Sequence, residues 1–271
     1  GKTTTLRMIA GFEKISSGYL RIGGQLVGSN FLHAPPNHRN LGVVFQDYAL
    51  FPHMTVYKNI EFGMDSKMVD KTDKINSILS MVGMHGYENK YVHELSGGQQ
   101  QRVAIARAVA INPIALLLDE PFSNLDRILA RELRKDIKKI VTNTETTTIL
   151  VTHDREEALA ISDRVAVVSN RKILQIDSPE YIYNNPSTPE VASLVGPCDF
   201  IDGEYKNNTV LTSFGKFSAR PLQKIDDHQK VKVLIRPSDI YISNEGGENF
   251  SNTVTSREYR GEYDEYEIIS E

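Results

Sequence analysis

The chain predicts an α/β fold: a parallel sheet covered on both faces by helices, a helix-rich insertion, and a small all-β domain after it. Three observations carry this reading. Short apolar runs at 41–45, 114–118, 147–152 and 164–168 are separated by helical stretches, the pattern of strands buried on both sides. Leu129, Leu133, Ile137, Ile140 and Val141 recur at helical spacing between two of those runs, a stripe of core contact with a solvated charged remainder. Beyond about residue 195 the helical pattern gives way to strand-like pieces with turn residues between them.

In chain order, Gly1-Lys2-Thr3-Thr4-Thr5-Leu6 matches the tail of a phosphate-binding loop of the form G-x-x-x-x-G-K-[ST]. Gly1 is then its last glycine, Lys2 the cation for the β- and γ-phosphates, and Thr3 the hydroxyl for Mg²⁺. The earlier glycine and the strand feeding the loop are not in this sequence, so the chain is expected to lack its true N-terminus. Residues 17–27 predict a hairpin about Gly23-Gly24, and Pro35-Pro36 a loop. Leu41 to Phe45 predicts a buried strand ending at Gln46. Pro52 begins the helix-rich insertion, which runs to about residue 110. The segment Tyr48 to His53 is apolar and aromatic; it reads equally as core and as a docking surface for another protein.

Leu95-Ser96-Gly97-Gly98-Gln99 is the most informative stretch. Ser96 suits an N-cap, with Gly97 and Gly98 opening the helix behind it. Free backbone N–H groups and the positive end of the helix dipole then make an anion grip. The strand Ala115 to Leu118 delivers Asp119 and Glu120 at its C-terminal end, carboxylates for a metal and a water. Together the motifs predict nucleoside triphosphate hydrolysis. His153 follows the run 147–152 and falls at a sheet's C-terminal edge, where open α/β folds bind ligands. His33, His38, His53, His85, His93 and His228 have no comparable context.

Bulk properties narrow the classes. The chain has 271 residues, 40% hydrophobic and 24% charged, enough for one large or two modest domains. Its 31 basic and 35 acidic residues leave a net charge of −4, which does not favour nucleic acid. Cys198 is the lone cysteine; it excludes an internal disulfide and fits a reducing compartment. No apolar stretch approaches the roughly 20 residues that span a bilayer.

From Pro179 a proline-punctuated segment carries a short helix and then a linker. Strand-like pieces follow at 200–201, 209–211, 231–235, 240–242, 252–256 and 266–269, spaced for a small barrel that the sequence is expected not to complete. The expected boundaries are 1–190 for the nucleotide-binding domain, with its helical subdomain at about 50–110, and 195–271 for the β domain.

These motifs, in this order, resemble the nucleotide-binding subunit of an ABC (ATP-binding cassette) transporter, a P-loop NTPase, over residues 1 to about 185. Gly1-Lys2-Thr3-Thr4 is similar to the end of the Walker A loop, Gln46 to the Q-loop glutamine, and Leu95 to Gln99 to the family signature. Asp119-Glu120 is similar to Walker B, Ser123-Asn124-Leu125-Asp126 to the D-loop, and Val151-Thr152-His153-Asp154 to the switch-histidine segment. Asn124 stands where a small residue such as Ala is common. The resemblance implies ATP and Mg²⁺ as cofactors. It implies Thr3, Gln46 and Asp119 as metal residues and Glu120, His153 and Gln46 as catalytic. Gly1, Lys2, Thr3, Thr4, Ser96, Gly97, Gly98, Gln99 and Asp126 would bind nucleotide. The adenine-stacking aromatic of the family lies upstream of this sequence.

The resemblance also implies a head-to-tail dimer, in which Ser96, Gly97 and Gly98 of one copy close on the ATP held by Lys2 of the other. A free cassette followed by a small barrel is similar to the ATPase of a bacterial importer, with an OB-like (TOBE-type) regulatory appendage. Such a subunit sits peripherally on the cytoplasmic face of the membrane, on integral permease subunits and indirectly with a solute-binding protein. Phe45 to His53 and Gly196-Pro197-Cys198-Asp199-Phe200 are most similar to the ferric-iron and polyamine branch, with sugar and sulfate or molybdate importers close; ferric iron is the expected solute and polyamine the next. A module that binds partners without turnover is the alternative of another class. Nucleic-acid binding by the barrel is disfavoured by six acidic residues in 257–271.

Overall fold

The computed structural model describes residues 1–219, 221, 224–240, 252–261 and 263–270. The chain divides into two compact units, Gly1–Asp163 and Arg164–Glu271.

The first unit is built on a parallel sheet of β3 (Leu41–Val44), β4 (Ala115–Asp119) and β5 (Thr147–Val151), in that order, with Val44 opposite Leu118 and Asp119 opposite Val151. Side chains alternate across the sheet. Leu116 and Leu118 face a core shared with α4 (Gly97–Ala110) and α5 (Arg127–Thr144), whereas Leu117 faces Leu6 and Ala10 of α1 (Lys2–Ala10). Both faces are therefore covered, as continuous apolar strands require. Gly42 permits close packing of β3 on α4: a Cβ there would lie 2.6 Å from the Ala108 carbonyl oxygen. The predicted stripe on α5 is inward, with Leu133, Ile137 and Ile140 each at most 2% exposed.

The hairpin is β1 (Tyr19–Ile22) with β2 (Gln25–Ser29). The insertion holds α2 (Val56–Glu61), α3 (Lys71–Met81) and α4, and α6 (Arg155–Ile161) closes the unit. Tyr48 is buried in the main core and Leu50 packs against it, while the Phe51 ring meets Phe62 at 4.4 Å and His53 at 6.2 Å in tilted contacts. Much of the aromatic segment is thus core.

The second unit departs from expectation in several respects. The run 164–168 forms β6 (Val165–Ser169), but it pairs antiparallel with β7 (Lys172–Asp177), not with the parallel sheet. After α7 (Pro179–Asn184) comes a second helix, α8 (Pro189–Val195), where a linker was expected. Val167, Ile182, Val191 and Val195 make a core of their own, which is why the division falls near 163 rather than near 195. Arg236 ties this region to the strands beyond: it donates to the Tyr183 and Pro197 carbonyls at 2.8 and 3.3 Å and stacks over the Tyr183 ring.

Those strands are β8 (Asp199–Lys206), β9 (Thr209–Thr212), β10 (Gly215–Ser218) and β11 (Lys230–Ile235), in a sheet ordered β10-β9-β8-β11. A separate hairpin joins β12 (Asn252–Tyr259) to β13 (Asp264–Ser270). Among the described residues the six strands make a sheet and a hairpin, not a closed barrel. Ile240 caps a 3₁₀ turn instead of starting a strand; residues 241 and 242 of that expected strand lie outside the described residues.

Candidate functional site

The parallel register places three chain ends at one edge of the sheet. Gln46 follows β3, Asp119 ends β4 with Glu120 behind it, and Thr152 and His153 follow β5. The N-terminus of α1 meets the same edge, because Leu6 and Ala10 seat the helix on Leu117.

Thr3 Oγ1 donates to Asp119 Oδ1 at 3.1 Å. Two hard oxygens from residues far apart in sequence converge there, as a Mg²⁺ that keeps water and phosphate oxygens as its other ligands requires. The pair fits that ion. Among the described residues there is no cluster of three or more His, Cys, Asp or Glu able to hold a metal by itself. Gly1 caps α1 and accepts the Thr5 hydroxyl at 2.9 Å. Lys2 and Thr4 are exposed, and Lys2 makes no ion pair among the described residues.

Glu120 has φ +46°, a left-handed conformation that costs a non-glycine residue about 1–3 kcal/mol and concentrates at functional sites. Its backbone N–H donates to Val151 at 2.8 Å, and its carbonyl accepts from the Ser123 N–H and hydroxyl at 3.2 and 2.9 Å. So held, its Oε2 lies 3.1 Å from Nδ1 of His153. In the tautomer that carries its hydrogen on Nδ1, the imidazole donates to this carboxyl oxygen. The His153 side chain is 67% exposed and that of Glu120 23%, which leaves both within reach of a ligand.

Gln46 is exposed, and no hydrogen bond joins its side chain to Thr3, Asp119 or Glu120 among the described residues. Its carbonyl instead accepts from Asn124 Nδ2 at 3.0 Å. Sequence reasoning noted the departure of Asn124 from a small side chain but gave it no role, and this contact is what the departure signalled. Arg107 was missed. It donates to the Ala49 and Tyr48 carbonyls at 2.7 and 3.0 Å and lies 5.4 Å from the Phe51 ring centroid. Tyr48 and Ala49 are consecutive left-handed residues, and burial lowers the Arg107 pKa. A lone guanidinium in the apolar run Val103 to Ala110 was its signal.

At the signature, Ser96 caps α4 as expected. Its Oγ accepts from Gln99 N–H at 3.4 Å, and Gln99 Oε1 accepts from Ser96 N–H at 2.9 Å, a reciprocal capping box. The Gln99 amide is therefore turned back on the cap. Gly97 and Gly98 serve packing as well as access, for a Cβ on either would lie 3.3 Å from Leu125 or Leu129. Asp126 also caps: its Oδ1 accepts from Ile128 and Leu129 N–H at 3.1 and 3.0 Å, opening α5. No hydrogen bond or ion pair among the described residues joins Gly1–Thr4 to Ser96–Gln99.

A hydroxyl–carboxylate pair beside a helix N-terminus, and a carboxylate–imidazole pair on the next strand ends, define a nucleoside triphosphatase of the P-loop class. Comparison with known proteins places it more closely. The ABC transporter family matches residues 1–123. The spermidine/putrescine import ATP-binding protein PotA of Borreliella afzelii is 40% identical over 100% of this chain and 77% of its own length. That of Acetivibrio thermocellus is 41% identical over 96% of this chain and 74% of its own. Among solved structures, cbiO1 from Clostridium perfringens, part of the ABC transporter complex cbiONQ, aligns with TM-score 0.61 and 26% identity over 72% of this chain and 82% of its own. The dimeric post-hydrolysis ATP-binding cassette MJ0796, bound to ADP and Pi, aligns with TM-score 0.56 and 29% identity over 66% of this chain and 81% of its own. The chain belongs to the ATP-binding subunits of ABC transporters. It is an ATPase that works with ATP and Mg²⁺, so the reading as a module without turnover falls away. No described helix is long and apolar enough to cross a membrane.

Proposed function

We propose that this ATPase powers polyamine import through an integral membrane permease. The observation that carries the substrate class is the 40% identity to a spermidine/putrescine import ATPase across the whole chain, the C-terminal strands included. The ferric-iron expectation has no such support among the relatives named above, and polyamine takes its place.

In this reading Thr3 and Asp119 hold Mg²⁺, which when bound neutralises charge on the β- and γ-phosphates. Lys2 supplies a fixed cation to the same phosphates. Glu120 orients a water and takes its proton while the water oxygen bonds to the γ-phosphorus. The bond from that phosphorus to the β,γ-bridging oxygen breaks, and ADP leaves with the electron pair. His153, held at 3.1 Å by Glu120, faces the terminal phosphate. Gln46 senses the site through its loop.

Two copies are proposed to meet head to tail, Ser96, Gly97 and Gly98 of one over the ATP on Lys2 of the other. The dimeric state of the MJ0796 neighbour supports this, as does the lack, among the described residues, of a hydrogen bond or ion pair between the two motifs within one copy. The strands after α8 are read as parts of an OB-like (TOBE-type) regulatory domain. The complex sits at the cytoplasmic face of the membrane and receives cargo from a solute-binding protein.

The test is reconstitution of the full-length protein with its cognate permease and solute-binding protein in vesicles. ATP-driven uptake of radiolabelled spermidine is expected, abolished by Glu120→Gln. Uptake of ferric iron with none of spermidine would reverse the assignment. A Glu120→Gln variant that stays monomeric with ATP and Mg²⁺ would remove the dimer.

A further inference from the structure

Glu157 lies in α6, only 7% exposed, and nothing above gives it a role. Its Oε2 accepts a hydrogen bond from Thr152 Oγ1. The same hydroxyl accepts from the Asp154 N–H at 2.9 Å, and Asp154 Oδ1 accepts from the Glu156 N–H at 2.7 Å. These three bonds brace the backbone on both sides of His153, whose own side chain projects to Glu120. A buried carboxyl is a costly way to fill space, and an apolar side chain of similar volume would fill it without that desolvation cost. What the carboxyl adds is an acceptor for Thr152. Burial raises its pKa, the sign of that cost.

We propose that Glu157 is a positioning residue for ATP hydrolysis: through the Thr152 hydroxyl it locks the turn 152–154 so that His153 is held against Glu120. It touches neither nucleotide nor metal. Its effect on turnover therefore passes through His153 and leaves ATP binding alone. The inference rests on the assignment of Glu120 and His153 made above.

The experiment compares Glu157→Leu, Glu157→Gln, Thr152→Val and His153→Ala in the full-length protein, with steady-state ATPase kinetics and amide hydrogen exchange of the nucleotide-free state. Glu157→Leu is expected to lower kcat roughly tenfold with KM for ATP within about twofold, as misplacement of a positioned group does. Glu157→Gln keeps an acceptor oxygen and is expected to restore kcat to within about threefold. Exchange at the Asp154 amide should quicken in the Leu variant and not in the Gln variant. In a His153→Ala background, Glu157→Leu should cost nothing further, the non-additivity of groups acting as one unit.

Equal loss from Glu157→Leu with and without His153 overturns the proposal, as does equal damage from Leu and Gln with Asp154 exchange unchanged. Should the Leu variant fail to fold, Thr152→Val removes the same link, and normal turnover in it is equally fatal. A His153→Ala protein of undiminished kcat sinks the assignment of His153 and this inference with it. An impaired His153→Ala with an unaffected Glu157→Leu sinks only the inference.

Discussion

The amide of Asn124 donates to the backbone carbonyl of Gln46 at 3.0 Å, tying the loop behind β4 to the end of β3. The bond uses Gln46's main chain and leaves its side chain free to turn toward a ligand. Asn124→Ala removes a partly solvated bond worth about 0.5–1.5 kcal/mol. The expected result is a stability loss below about 1 kcal/mol, with faster amide exchange at 45–48. Unchanged exchange there would mean the tether does not hold the loop.

Thr3→Ala leaves Asp119 Oδ1 without its 3.1 Å donor and takes one oxygen from the proposed Mg²⁺ site. The Mg²⁺ concentration for half-maximal ATPase is expected to rise roughly tenfold, with EDTA abolishing turnover in both proteins. Titration of Mg²⁺ at saturating ATP reads this. An unchanged midpoint would place the metal elsewhere.

Arg107 serves two carbonyls from one guanidinium, at 2.7 and 3.0 Å, across a turn of two left-handed residues. Arg107→Ala is expected to cost about 2–4 kcal/mol, since bonds to a charged donor count for more than neutral ones and the turn stores strain. Lys should recover only part, because one ammonium does not reproduce the planar fork. Urea unfolding midpoints at constant slope measure both variants.

Glu157 sets a pH dependence. Its carboxyl is raised above the ordinary value of 4.5, chiefly by burial, against the Thr152 hydrogen bond; Asp154 also raises it, and Arg134 and His153 lower it. An acid with a raised folded-state pKa holds its proton more tightly folded than unfolded. Its contribution is then full below pH 4.5 and shrinks as pH rises through the folded-state value. Glu157→Gln removes that slope, so the variant should gain stability relative to the unaltered chain as pH rises above 4.5. Unfolding free energies taken between pH 4 and 8 show it; parallel curves would contradict it.

Local pattern made much of this molecule legible. A buried strand is a short apolar run whatever it pairs with, and the α5 stripe from Leu129 to Val141 reports its own inward face. Ser96 reads as a cap because a hydroxyl side chain stands just ahead of the helix that Gly97 and Gly98 open; the reciprocal bond from Gln99 is the structure's addition. Asp126 is another cap, a role that its motif does not announce. Arg107, Asn124 and Glu157 stayed hidden because their partners are separated in sequence or are main-chain groups without sequence identity.

By itself the sequence determined which apolar runs are buried and where α4 begins, because each depends on side chains within a few residues of one another, and the order of the motifs along the chain determined which chemistry they serve. Tertiary structure alone decided that β6 joins β7 rather than the parallel sheet, that the last strands form a sheet and a hairpin, and that Thr3 meets Asp119 and Glu120 meets His153. Strand pairing runs through backbone hydrogen bonds that every sequence shares, so apolar patterning marks a strand without choosing its neighbour.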